Sequence, residues 1–238
     1  MYEPLDLLEL AALSGPPHER AIGAIAAFTD HPAAEAMTWP LPACDARLLE
    51  LYRERYGTQL RAVSACPGCG GVLELSFAVD DLLATLTEPD ADQLKLELDG
   101  YELELRLPTV SDLDRAQGAG DLERAQEVIA AGCVSVCSHD GAPVGAGGLP
   151  APVLDEVQRH LEQFDLGGEG LELTCPDCST QWSATLDVTT LVLAELDAEG
   201  QRLLADVHIL ARAYGWSETE IVWLPAERRR KYVELVLG

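Results

Sequence analysis

Hydrophobic and polar residues follow a helical period near the start of the chain. Apolar residues at this spacing predict two short helices, over residues 5–13 and 19–29. The proline-rich stretch 32–42 predicts a linker, because proline at that density interrupts regular structure. A longer amphipathic helix is predicted to begin at Asp45 as its N-cap and to end at Gly57.

A strand period replaces the helical one in three places. The segment 72–79 alternates apolar and polar residues, and so does 170–188 on both sides of a short turn. The segment 94–108 predicts a hairpin that turns at Asp99-Gly100, because this dipeptide readily adopts the positive φ angles of a tight hairpin. Short antiparallel strands are the predicted result.

Between the segments 94–108 and 170–188 the pattern is mostly helical. Ser111 is predicted to cap one helix, and a second is predicted from Asp121 to near Gly132. The stretch 139–152 is rich in glycine and proline and predicts a loop, which leads into a helix over 153–161.

The C-terminal part returns to helical periodicity. An apolar stripe predicts a helix from about Leu191 that is broken at Gly215. Ser217 and Glu220 form the pattern of a capping box, which predicts a short helix over 218–224. A last helix follows and carries a run of basic residues.

Composition places the chain among globular proteins and argues against one class of partner. It has 238 residues, of which 47% are hydrophobic and 24% charged. This length is enough for one large domain or two modest ones, and a chain of this size does not need a metal in order to fold. The formal net charge of −25 would repel a phosphate backbone. Nucleic acid is therefore a poor partner, and the acidity favours solubility over an acidic binding surface.

Membrane insertion and secretion are not expected from this sequence. No apolar run reaches the roughly 20 residues that span a bilayer, and the first ten residues carry acids where a secretory signal carries bases. We therefore expect a cytoplasmic protein. In a reducing compartment its seven cysteines are expected to be thiols or metal ligands.

Four of the cysteines form two matching motifs. Cys66 and Cys69, like Cys175 and Cys178, flank a two-residue turn that begins with proline. Two such turns beside strands favour one tetrathiolate zinc site over a pair of redox motifs. Four thiolates saturate tetrahedral zinc, so the predicted Zn²⁺ has a structural role and joins segments separated by the 105 residues 70–174.

These patterns together predict an α+β fold. It consists of a split zinc ribbon of short antiparallel strands, with an inserted α+β domain and flanking N- and C-terminal helices. The predicted segments are an N-terminal helical and linker part, a helix with the first zinc-binding turn, the inserted domain, the second zinc-binding turn and a C-terminal helical part, over residues 1–44, 45–79, 80–169, 170–190 and 191–238.

No further set of residues predicts chemistry. Cys133 and Cys137, with His139 close by, would form a second metal site only if they shared a helical face, and buried thiols are the favoured interpretation of these two and of Cys44. The histidines share no metal spacing, and no nucleophile or phosphate-loop motif accompanies them. We therefore expect neither an enzyme nor a small-molecule substrate.

The last helix concentrates a quarter of the basic residues in one turn. Arg228, Arg229, Arg230 and Lys231 are followed by Tyr232 and further apolar residues. A solvated helix face is one interpretation. The other is a helix that docks on an acidic surface of a partner or of the protein itself.

Three segments resemble parts of a known family. The C-terminal segment 208–236, HILARAYGWSETEIVWLPAERRRKYVELV, resembles the ending of small proteins encoded among the tail genes of contractile phages and contractile injection systems, which are baseplate proteins or baseplate hub assembly chaperones. The segment 104–113, ELRLPTVSDL, is similar to another element of that family, and the helix before Gly57 with its Cys-Pro-x-Cys turn is similar to a third.

The resemblance implies a non-enzymatic protein that helps to assemble a baseplate or spike hub. Its partners would be baseplate or hub components, and it would either leave or remain in the particle. The residues expected to contact a protein partner are Trp216, the run 228–231 and Tyr232. A zinc-ribbon protein associated with nucleic acid or transcription is the alternative, which the net charge disfavours.

Overall fold

The structure, a computed structural model, describes residues 4–86, 89–164 and 170–238. The chain divides into two compact units, one formed by the residues up to Ala33 together with Thr189–Gly238 and the other by Ala34–Val188. Helices and small antiparallel sheets together confirm the mixed α+β class. The five segments predicted from the sequence stay a prediction.

The first unit is helical and brings the two ends of the chain together. Its helices are α1 (Pro4–Ala12), α2 (Pro17–Phe28), α9 (Val188–Tyr214), α10 (Glu218–Val222) and α11 (Ala226–Leu237). Gly215 ends α9 with φ +69°, and Ser217 and Glu220 form the predicted capping box at α10. The predicted helices of both ends are thus confirmed.

The core of this unit is built from aliphatic side chains of four helices. Its buried residues include Leu7, Leu10, Ile22, Ile25, Leu196, Leu203, Leu210, Ile221 and Val222. Gly200 lets α1 approach α9 closely, because a Cβ at this position would lie 2.6 Å from the Cβ of Ala11. Arg20 on α2 pairs with Asp197 on α9 at the edge of the core.

The second unit contains the strands. In chain order its elements are α3 (Ala33–Ala36), α4 (Leu41–Tyr56), β1 (Gln59–Ala65), β2 (Val72–Ala78), α5 (Val79–Thr85), β3 (Lys95–Leu98), β4 (Tyr101–Leu105), α6 (Val110–Ala116), α7 (Leu122–Gly132), β5 (Val134–His139), β6 (Ala142–Pro143), α8 (Ala151–Glu162), β7 (Leu171–Thr174) and β8 (Gln181–Ala184). The sheets are the hairpin β1-β2, the antiparallel sheet β3-β4-β5-β6 and the hairpin β7-β8.

The four-stranded sheet is shaped by two Asp-Gly turns. Asp99 and Gly100 have φ +50° and +82° and join β3 to β4 as predicted, with Leu98 opposite Tyr101. A second Asp-Gly turn, at 140–141, joins β5 to β6. The predicted loop over 139–152 is therefore wrong at its start, where the same turn chemistry forms a hairpin. One face of this sheet packs against α7 and α8.

The predicted linker before α4 is also wrong. The short helix α3 lies within it, and α4 begins at Leu41 after Pro40, four residues before the predicted cap at Asp45. Pro42 fits the first turn of α4 because the N–H groups of that turn have no partner inside the helix. The Leu41 N–H instead donates to Pro108 O at 2.9 Å.

The cap of α6 is two residues earlier than predicted. Thr109 is the N-cap, and Asp112 completes a capping box with it. The Ser111 hydroxyl instead donates to Met37 O at 3.0 Å, so Ser111 does not cap the helix. The strands β1 and β5 and the helix α5 were also not predicted.

Candidate metal centre

The four motif cysteines meet in one cluster. The Sγ atoms of Cys66 and Cys178 lie 3.6 Å apart, as do those of Cys69 and Cys175, and all four sulfurs lie within 4.8 Å of one another. A tetrahedral ion with Zn–S bonds of ~2.3 Å needs sulfurs separated by about 3.8 Å. The cluster therefore matches the size of a tetrathiolate site.

Each cysteine pair is held by a turn between two strands. In the first turn the Cys66 N–H donates to Gly71 O at 2.8 Å, and the Gly70 N–H donates to Cys66 O at 2.8 Å. These bonds close the turn between β1 and β2 and direct the two thiols to the same side. Gly70 is in the left-handed region with φ +74°.

The second turn repeats the same backbone pattern between β7 and β8. The Cys175 N–H donates to Thr180 O at 2.9 Å, five residues on, and the Ser179 N–H donates to Cys175 O at 3.0 Å. Ser179 occupies the left-handed position with φ +60°. The two turns are thus equivalent, except that a serine stands where the first turn has glycine.

This difference predicts that two substitutions change the free energy of unfolding in opposite directions. Ser179→Gly is expected to raise the free energy of unfolding by about 1 kcal/mol, because an L-residue in the left-handed region costs about 1–2 kcal/mol and glycine gives back part of it through chain entropy. Gly70→Ser is expected to lower it by a similar amount, since a Cβ there meets no atom within 4 Å and only the backbone cost remains. Denaturant unfolding in zinc-containing buffer measures both, and effects of the same sign would contradict the equivalence.

Backbone amides of both turns point at the sulfurs. The Gly68 N–H lies 3.4 Å from Cys66 Sγ. The Gly71 N–H bonds Cys69 Sγ and the Thr180 N–H bonds Cys178 Sγ. Because such bonds favour the charged form, they prepare the cysteines to act as thiolate ligands.

The two exposed thiols differ in acidity. The Thr180 hydroxyl and amide, together with Cys66, lower the pKa of Cys178 to about 6. The Gly71 amide lowers the pKa of Cys69, but hydrogen bonds with the other three thiols outweigh it and raise that pKa to about 12. Four thiolates at this spacing repel one another, so full ionisation of the cluster requires a cation among them.

The two turns also contact each other directly. A Cβ on Gly68 would lie 2.3 Å from Thr180 Oγ1, so only glycine fits between the turns. Next to them the Trp182 indole N–H donates to Ser64 Oγ at 3.3 Å. Glycine at position 68 thus lets the two hairpins approach closely enough to share four sulfurs.

Gly68→Ala should therefore weaken metal binding without removing a ligand. The added methyl group collides with Thr180, and relieving this overlap is expected to cost about 1–3 kcal/mol, which corresponds to a loss of about 5- to 150-fold in zinc affinity. Competition with a chromogenic chelator measures this loss. In a Thr180→Ala background, which lacks the overlapping hydroxyl, Gly68→Ala should cost much less zinc affinity than it does in wild type; equal affinities of wild type and Gly68→Ala would contradict the contact.

The other cysteines remain outside this cluster. Cys133 caps the C-terminal end of α7 and Cys137 lies in β5, so they do not share a helical face and the premise of a second site is wrong. Both are buried, as is Cys44, which confirms the interpretation as buried thiols. Burial raises the pKa of Cys133 to about 11 and, with a smaller contribution from Asp45, that of Cys44 to about 12.

The basic run on α11 is divided by the helical period. Arg228, Arg230 and Lys231 are exposed. Arg229 instead faces α9, where its Nε–H donates to Asp206 Oδ2 at 2.9 Å and its Nη1–H donates to Leu224 O at 3.2 Å. Three of the four predicted contact cations are thus available at the surface.

Trp216 and Tyr232 belong to an aromatic cluster that holds α11 against the end of α9. The Trp216 ring stacks on Tyr214 with centroids 4.7 Å apart and meets Tyr232 edge-on at 5.0 Å. The Arg228 guanidinium lies 5.7 Å from the Tyr232 ring centroid. Both predicted aromatic residues are half-buried, and they join α11 to the helical unit.

The segment 104–113 contains a buried carboxylate that the sequence did not predict. Asp112 is 1% exposed and accepts two bonds from the Arg106 guanidinium, at 2.6 and 2.8 Å. The N–H and hydroxyl of Thr109 each donate to Asp112 Oδ2 at 2.8 Å, and Arg115 pairs with Oδ1. The spacing of Thr109 and Asp112 as a capping box is the signal that would have identified it.

This network connects three elements of the second unit. Arg106 Nη2–H donates to Gly132 O at 2.6 Å, and the Arg106 N–H donates to Cys133 O at 2.8 Å. Burial acts to raise the pKa of Asp112, but Arg106 and the Thr109 donors outweigh it and lower that pKa to about 2. The carboxylate therefore joins β4, α6 and the end of α7.

Comparison with known proteins gives no relative: no family model, curated protein or solved structure matches this chain significantly. Among the helices of the described residues, none combines the length and apolar character needed to cross a membrane.

Proposed function

We propose that Cys66, Cys69, Cys175 and Cys178 bind one Zn²⁺ ion and complete a split zinc ribbon. The observation that carries this proposal is the convergence of four sulfurs from two equivalent turns at tetrahedral spacing. Zinc suits a site of four thiolates without imposing a geometry of its own.

The proposed zinc has a structural role. Four protein ligands leave no position for water or substrate, so the ion cannot activate a nucleophile. It would hold the hairpins β1-β2 and β7-β8 together across the intervening chain, whose closure costs little more for a long loop than for a short one. The protein on this proposal is not an enzyme.

The role we propose is that of an assembly factor or adapter for the baseplate or spike hub of a contractile tail. The resemblance of segments 104–113 and 208–236 to that family supports it. Within these segments the RLPT element forms the Asp112 network, and the C-terminal element forms an exposed basic helix.

The proposed contact surface for the partner is on α11. Arg228, Arg230 and Lys231 supply charge, while Trp216 and Tyr232 hold the helix in place. Charge complementarity would attract an acidic baseplate or hub component. The protein would act in the cytoplasm and would either leave the assembled particle or remain in it.

Copurification with tail components tests this role. Tagged full-length protein, coexpressed with its neighbouring tail genes, is expected to retrieve a baseplate or hub component. Joint replacement of Arg228, Arg230 and Lys231 by glutamate should abolish retrieval, while Arg212→Glu, an exposed cation at the end of α9, should not. Retrieval of no tail component, or retrieval that ignores the triple replacement, would contradict the role.

A further inference from the structure

One groove of the second unit joins an acidic recess to an apolar pocket. It runs between α7 and α8. The recess lies between their first halves and is lined by the carboxylates of Glu123, Glu127 and Asp155. Arg124 pairs with Glu127, which leaves the exposed Glu123 and Asp155 as its uncompensated charges.

The apolar pocket continues the groove toward the C-terminal ends of the same helices. Its volume is about 190 Å³, and Ile129, Leu161 and Phe164 are among its lining residues, with Glu162 at the rim. Deleting one buried leucine from a protein core leaves a cavity of roughly 150 Å³. The pocket is therefore large enough for one leucine side chain from another chain.

The outward face of α11 carries the complementary pattern. Arg228, Lys231 and Leu235 recur at helical spacing on one face of the helix, which does not include Arg229. Leu235 is 73% exposed, and none of these side chains pairs with a carboxylate in the described part of the chain. This face thus presents two cations followed by one uncovered leucine.

The spacing of the two patterns agrees. With a rise of ~1.5 Å per residue, Arg228 precedes Leu235 by about 10.5 Å, and Asp155 in the recess precedes Leu161 in the pocket by about 9 Å. A helix lying in the groove, parallel to α7 and α8, would set its cations on the carboxylates and its leucine in the pocket.

We infer that the protein associates with itself, with α11 of one copy bound in the α7/α8 groove of a second copy. Opposite charges select the direction of docking, and the leucine provides the apolar anchor. A second copy is the occupant that the molecule itself supplies, since it carries both halves of the match. The inference rests on the proposed role of α11 as a docking helix, and a second copy and a tail component would compete for its cations.

Sedimentation equilibrium of the purified full-length protein in zinc-containing buffer tests this inference. The average mass is expected to rise with concentration above the 25.6 kDa of one chain. Leu235→Glu should raise the dissociation constant about tenfold or more, as loss of a central anchor does. Leu204→Glu, at a leucine on α9 that is 49% exposed, should leave it unchanged.

A charge exchange tests the direction of docking. Arg228→Glu with Lys231→Glu should weaken association, and adding Glu123→Lys with Asp155→Lys in the same chain should restore it. A monomer at all concentrations, association that ignores Leu235→Glu, or no restoration by the exchange would each overturn the inference. Because no tail component is present, these outcomes are independent of the copurification result.

Discussion

Replacing Cys66 with serine is expected to release the metal and destabilise the second unit by several kcal/mol. Binding of a structural zinc to four thiolates is worth about 10–16 kcal/mol in small peptides, and part of that energy stabilises the fold that holds the ligands. Cys66 is buried, and a serine hydroxyl there binds zinc poorly. Metal content and thermal unfolding of the same sample measure the effect.

Cys44→Ser provides the matched control for this experiment. Cys44 is equally buried but lies outside the cluster, so this variant is expected to lose some stability and keep one zinc per chain. If Cys66→Ser retained full zinc content and wild-type stability, the cluster would not be the metal site.

The second large effect is expected for Asp112→Asn. The amide keeps the shape of the side chain but removes the charge that pairs with Arg106 and Arg115. Breaking a buried ion pair on one side typically costs about 3–5 kcal/mol. We expect about 3 kcal/mol here, because both arginines are partly exposed and retain water contacts.

Asp81→Asn is a suitable control for that variant. Asp81 also lies in the first turn of a short helix, α5, but is exposed, so its replacement should change the free energy of unfolding by less than about 0.5 kcal/mol. Denaturant unfolding at neutral pH compares the two. Equal effects of both replacements would show that the Asp112 network contributes nothing specific.

Acid should remove the contribution of Asp112 over a defined range. The pKa of this group falls from its ordinary 3.8 to about 2 in the folded protein, so its stabilisation is present above pH 4 and is lost as the pH falls from about 4 through about 2. The amount is about 2 kcal/mol at ~1.4 kcal/mol per pH unit. The difference in stability between wild type and Asp112→Asn, which cancels any effect of metal release, should shrink over this range. A difference that stayed constant would contradict the lowered pKa.

The cysteine cluster was predictable because its signal is local and chemical. In each pair two residues separate the cysteines beside a strand, and two such pairs supply the four ligands of a tetrahedral ion. Composition alone would not have located Gly68, whose role depends on the approach of Thr180 from a turn more than a hundred residues away. The cluster of four cysteines could thus be read from the sequence, but the packing between the turns could not.

Errors in the helix boundaries share one physical cause. The predicted linker rests on the number of prolines, whereas the effect of proline depends on its position. Pro40 and Pro42 are tolerated at the start of α4 because a backbone N–H there would make no hydrogen bond within the helix. Similarly, Thr109 and Ser111 are both capping residues by type, and only the bonds to Asp112 distinguish them. Residue type indicated the helix, but position in the first turn and the capping hydrogen bonds decided where each helix begins.

The basic run shows the same limit of reading residues in sequence order. Four consecutive cations look alike in the sequence, but the helical period turns Arg229 toward Asp206 and leaves Arg228, Arg230 and Lys231 outside. The sequence also does not distinguish Leu235 from its apolar neighbours, whereas the structure leaves its side chain exposed.

X-ray absorption at the zinc edge, combined with metal analysis of the purified protein, is the most direct test of the proposed zinc site. We expect one zinc per chain, coordinated by four sulfurs at ~2.3 Å. A folded chain without metal, or a first shell containing nitrogen or oxygen ligands, would contradict a closed tetrathiolate site formed by Cys66, Cys69, Cys175 and Cys178.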